Sequence, residues 1–75
     1  MSVFDLKKGE SAIIRSCNVS GSTLSRLISL GITVGRKISV LSFSLFRGSV
    51  LISCGTVRVG LRATLAKNIE VEKCG

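Results

Sequence analysis

Apolar positions along this chain of 75 residues fall into one helical stretch and several short extended ones. The helical stretch is residues 22–35, STLSRLISLGITVG. At 100° per residue, Leu24, Leu27, Ile28 and Leu30 occupy one arc of roughly 160°, with Ser25, Arg26 and Ser29 outside it. Ser22 is placed to act as N-cap through its hydroxyl. Gly31 follows the last periodic leucine, where a left-handed residue usually closes a helix. A helix this short is marginal alone in water, where about 12–15 residues are needed. It must rest on something, and the extended stretches supply it.

Ser11–Cys17 (SAIIRSC) reads as a first strand on its β-branched Ile13 and Ile14. Residues 37–44 (KISVLSFS) read as a second, and here the phase slips: Ile38 and Val40 share one face, Leu41 and Phe43 the other. One extra residue flips the facing of every side chain beyond it, so a β-bulge or a sharply coiled strand is predicted. A connection at 45–48, with Arg47 and Gly48 at its tip, leads into Ser49–Cys54 (SVLISC) as the third strand. Residues 56–63 (TVRVGLRA) alternate, with Val57, Val59 and Leu61 inward and Thr56, Arg58, Gly60 and Arg62 outward. One helical turn at 64–67 leads into a last strand at 68–73 (NIEVEK), with Ile69 and Val71 inward and Glu70 and Glu72 outward. The first ten residues anchor one end of the core through Phe4 and Leu6, then turn at Lys7-Lys8-Gly9-Glu10.

Five short strands and one helix are too few for two packed sheets. A small, strongly bent five-stranded β-barrel closes its own edges with the fewest residues, and the helix then packs over its open mouth. The prediction is a single mostly-β domain over residues 1–75. A core this thin supports a total stability on the order of 4–11 kcal/mol.

Charge narrows the partners. Eleven Lys and Arg against four Asp and Glu give a net charge of +7, which favours an acidic partner: nucleic acid, anionic lipid or an acidic protein face. Nucleic-acid readers of single strands also need exposed aromatics, and three Phe with no Tyr or Trp are poor equipment. Catalysis fares worse. There is no His to act as base, the carboxylates divide between a turn (Asp5, Glu10) and a strand face (Glu70, Glu72), and no phosphate loop is present. No catalytic residue, cofactor or metal ligand is assigned.

Cys17, Cys54 and Cys74 cannot all pair internally and lack zinc-type spacing; the first two read as small core residues and the third as a loose thiol. Such usage suits a reducing cytosol. The apolar run at 38–54 is broken by five serines and by Arg47, which argues against a membrane span. MSVFDLKKGE has no uninterrupted apolar core, so no signal peptide is expected and the localisation read is cytoplasmic.

One set of residues goes further. Leu6-x-x-Gly9-Glu10, Arg26-Leu27-x-x-Leu30-Gly31-Ile32-x-x-Gly35, Ile38-x-Val40, Gly48 and Leu61-Arg62-x-x-x-Ala66-x-x-Ile69-x-Val71 resemble, in order and nearly end to end, the FeoA family of bacterial ferrous iron transport. Val34 and Val50 stand where that family often has Pro. The resemblance implies an SH3-like β-barrel and a non-enzymatic role beside FeoB, a membrane GTPase-permease whose cytosolic G domain is the expected partner. The same barrel serves as a module of iron-responsive repressors, and a basic barrel binding nucleic acid is the alternative reading. Iron binding by the chain itself is not expected. The partner-binding residues predicted are Leu45, Phe46 and Arg47 at the hairpin, which combine apolar anchors with a cation, and Arg58 and Arg62 on one outward strand face.

Overall fold

The computed structural model describes residues 1–74. Five antiparallel strands form one sheet in the order β4-β3-β2-β1-β5: β1 Ser11–Cys17, β2 Lys37–Phe43, β3 Ser49–Cys54, β4 Val57–Arg62 and β5 Ile69–Lys73. Helix α1 is Gly21–Ser29, and the single turn α2, Ala63–Ala66, joins β4 to β5. The strand pattern was therefore legible to within two residues at every boundary. No helix among the described residues is long and apolar enough to cross a membrane.

Two bulges bend the sheet. The predicted one lies between Val40 and Ser42 in the β2–β3 pairing, where Leu41 is the extra residue. A second lies between Ile14 and Ser16 in the β1–β5 pairing. The bend is barrel-like without full closure, because the edge strands β4 and β5 do not hydrogen-bond to each other. The N-terminal residues cover the far edge of β5: Ser2 bridges Glu70, and the Val71 N–H donates to the Met1 carbonyl at 2.8 Å. Inside the bend lie Val3, Leu6, Ile14, Ile38, Ile52 and Ile69, all nearly fully buried. Phe4 was expected there and is only half-buried, edge-on to Phe43 at 5.7 Å between ring centroids.

Helix α1 departs from expectation at both its start and its buried face. Its N-cap is Ser20, in extended conformation, not Ser22, and no side-chain hydroxyl caps it. Of the four residues on the apolar arc only Leu27 is buried; Leu24 and Leu30 are half-buried and Ile28 is 54% exposed. Burial follows the C-terminal closure instead. Gly31 takes φ +85°, its N–H donates to the Ile28 carbonyl at 3.0 Å, and the Ile32 N–H donates to the Leu27 carbonyl at 2.9 Å. This is the paired closure of a left-handed cap, accompanied by burial of both Leu27 and Ile32. The helix is pinned at one end, and the rest of it stands away from the sheet.

Val57, expected inward, is 38% exposed because it flanks the β3–β4 turn beyond the edge of the core. Cys54 is buried, Cys17 half-buried and Cys74 exposed; all three are free thiols, and burial pushes the Cys17 thiol up.

The four carboxylates are all engaged. Asp5 accepts from the Ser2 N–H at 2.9 Å, Glu72 from Arg15 Nε at 2.7 Å and Glu70 from the N-terminal ammonium at 3.3 Å, while Glu10 pairs with Lys73. The backbone N–H of Ser2 holds the Asp5 carboxyl below the usual carboxylate range, and Lys73 does the same for Glu10. Both pKa values are depressed in the folded state, so the stabilisation is full above the unfolded value of about 4 and is lost as pH falls through the folded values. Thermal melts are expected to hold steady from pH 7 to 5 and to drop below pH 4. Asp5→Asn should lessen that acid-side drop.

Candidate functional site

The connection from β2 to β3 is the most exposed apolar feature of the molecule: Leu45 is 81% and Phe46 92% exposed. Leu45–Arg47 forms one 3-10 turn, held at its base by Ser44, whose hydroxyl accepts from the Ser49 N–H at 2.8 Å. Phe46 (φ 62°) and Arg47 (φ 56°) both lie in the left-handed region, whereas Gly48, the residue suited to it, has φ −72°. Left-handed backbone at a non-glycine residue costs on the order of 1–3 kcal/mol, and it persists only where the surroundings impose it.

Arg47 imposes it. Its guanidinium turns back over the Phe43 ring at 4.1 Å and the Phe4 ring at 4.9 Å, and Nη2 donates to the Phe4 carbonyl at 3.0 Å. Lys67 covers the Phe4 ring from 5.3 Å. Arg47, predicted as a partner contact, is thus first a brace of the turn. The Arg47 guanidinium lies over the two rings, and the side chains of Leu45 and Phe46 are left in solvent.

Arg62 belongs to the same end of the molecule. It pairs with Ser49 at the base of the turn, and the next residue, Ala63, donates its N–H to the Gly48 carbonyl at 3.0 Å. Arg58 is four residues back along β4, about 13 Å away at the usual strand rise, opposite Ser53. Both arginines are exposed. The five predicted residues therefore split into a cluster of four around the turn and one outlier.

The sequence pattern gave no notice of a groove. A cleft of about 700 Å³ lies between α1, whose buried side chain is Leu27, and the β4–α2 corner. Ser22, Arg26 and Leu30 line it from the helix, and Val59, Gly60 and Arg62 from β4. The one available signal was Gly60, a glycine inside an otherwise alternating strand, which often marks close approach of another backbone. Arg26, whose carbonyl accepts from the Leu30 N–H and the Ser29 hydroxyl, directs its own side chain to this groove. Among the described residues, no three His, Cys, Asp or Glu side chains are grouped as a metal site.

Comparison with known proteins gives a consistent picture. The family model described as the FeoA domain matches residues 1–73. A Campylobacter jejuni protein named Fe(2+) transport protein A is 32% identical over 71 residues, covering 95% of this chain and 96% of that one. Among solved structures, FeoA from Chlorobium tepidum superposes with a TM-score of 0.95 at 27% identity, covering all of this chain and 71% of that chain. Iron(II) transport protein A from Clostridium thermocellum gives 0.93 at 28% identity; this chain spans only 46% of its length. Stenotrophomonas maltophilia FeoA, solved with zinc and described as a procaryotic SH3 domain protein, gives 0.80 at 25% identity, covering 96% of this chain and 89% of that one. A manganese-dependent transcriptional repressor, at 18% identity and a TM-score of 0.87, shares the fold alone.

Proposed function

The chain belongs to the FeoA domain family, and from that membership we propose that it is a non-enzymatic accessory protein of bacterial ferrous iron uptake, docking on the cytosolic part of the FeoB GTPase-permease. The observation that carries the docking site is the exposed Leu45–Phe46 pair on a braced, left-handed turn. An aromatic on a braced backbone loses little main-chain freedom on binding, and aromatic side chains are effective anchors at interfaces. Arg62 beside it and Arg58 farther along β4, neither in an ion pair among the described residues, meet carboxylates on the partner. Long-range attraction from a +7 chain speeds encounter, and the apolar anchors set how long the complex lasts.

On this reading the chain works in the cytoplasm and reaches the inner face of the membrane only through its partner. Iron passes through the transporter, while the chain acts on the transporter's GTPase or gating state. Calorimetric titration into the isolated G domain tests the reading: one-to-one binding is expected. Absence of binding both there and to the whole transporter would overturn it.

A further inference from the structure

The groove beside α1 combines three features, of which only Arg62 has been given a role so far. Its floor is a free sheet edge, since β4 is the terminal strand and its outer backbone groups have no neighbouring strand. Gly60, midway along that edge, is exposed, and a Cβ built on it would meet nothing within 4 Å. Its walls carry cations without counter-ions: Arg26 from the helix and Arg62 from the strand, neither in an ion pair among the described residues. Among the described residues the acidic side chains do not answer them, because Asp5, Glu10, Glu70 and Glu72 are all engaged elsewhere.

We propose that this groove takes an extended, acidic segment of a partner protein, which adds as a strand along the β4 edge and sets its carboxylates against Arg26 and Arg62. Main-chain hydrogen bonds to an open edge provide affinity that is largely independent of sequence, and side chains alternating at every second residue provide the selection. Gly60, with nothing within 4 Å of where a Cβ would stand, leaves room beside the edge for the incoming segment's side chains. The two arginines stand on opposite walls, so a strand between them meets a cation on either side, and Val59 and Leu30 receive its apolar residues. Open sheet edges are usually blunted by charge or cover because they recruit other strands; here the charge is of a single sign and admits acidic strands only. The inference rests on the partner-binding reading above and specifies the chemistry of the partner's contact segment.

The test uses two probes on the whole chain labelled with ¹⁵N. A blocked octapeptide of alternating Glu and Val is expected to shift the amides of Val59–Arg62 and of the first turns of α1. Replacing Glu by Lys in the peptide should abolish the shifts, and raising salt should weaken them. Gly60→Val, which fills the groove at a position with ordinary φ and open space, should remove binding while leaving the melting temperature near that of the parent chain. Should that variant unfold, Arg26→Glu with Arg62→Glu is the surface alternative and should weaken binding at least tenfold. Shifts confined to Leu45–Phe46, equal binding of the Lys peptide, or undiminished binding by the folded Gly60→Val chain would overturn the proposal. The G domain of FeoB is the second probe: if it binds parent and Gly60→Val equally, the groove assignment fails and the partner reading stands. If it does not bind the parent chain while the acidic peptide does, the partner reading is what fails.

Discussion

Truncating Leu27 to Ala is expected to destabilise the domain by about 2–5 kcal/mol, the usual cost of emptying a fully buried leucine site. For a domain of this size each kcal/mol lowers the melting temperature by roughly 4–8 °C, so a loss of at least about 8 °C should be seen in a thermal melt. Against a total of order 4–11 kcal/mol, the variant is at the edge of folding at all. The neighbouring Ile28→Ala, on the same helix face but more than half exposed, should stay within about 0.5 kcal/mol of the parent chain. The contrast is the point. Leu27 is pinned against the core by the Gly31–Ile32 closure, while the turns before it stand off to form one wall of the groove. Equal losses for the two variants would mean that α1 lies flat on the sheet and that the groove is closed.

The second large effect is on binding rather than on the fold. Leu45→Ser with Phe46→Ser is expected to weaken the FeoB complex by about 30-fold or more, the effect of removing anchors worth roughly 2 kcal/mol. Both side chains are in solvent in the free chain, so the melting temperature should scarcely move. Phe46→Gly separates the two roles more sharply. It relieves the left-handed backbone at φ 62°, which should leave the domain as stable or up to about 1 kcal/mol more stable, and it still removes the anchor. Stability and affinity then move in opposite directions. Unchanged affinity in both variants would remove the turn from the docking site.

Much of this architecture was legible because its causes are local. Strict alternation placed β4 and β5, and the phase slip at Leu41 announced a bulge that the pairing of β2 with β3 contains. The Arg26–Gly35 signature, noted first as a family mark, has a structural reason: Leu27 and Ile32 are buried together across a left-handed Gly31. What escaped was set by contacts distant in sequence. Periodicity put Ile28 on the apolar arc, but it cannot say how a short helix tilts, and only its C-terminal end meets the core. Arg47 and Gly48 were placed at the tip of the turn, but its left-handed residues are Phe46 and Arg47, whose conformation goes with the reach of Arg47 to Phe4 and Phe43. The bracing contacts of Arg47 were not legible for the same reason: its ring partners lie on other segments. The groove escaped altogether, since it is a space between α1 and β4 rather than a pattern in either.

Docking of this chain on the ferrous iron transporter is open to one decisive binding measurement. Immobilised FeoB in lipid nanodiscs, with GTP and with GDP bound, is titrated with the parent chain and followed by interferometry. Saturable one-to-one binding is expected in at least one nucleotide state, weakened by salt and by the paired Leu45→Ser and Phe46→Ser substitutions. No binding in either state would contradict it.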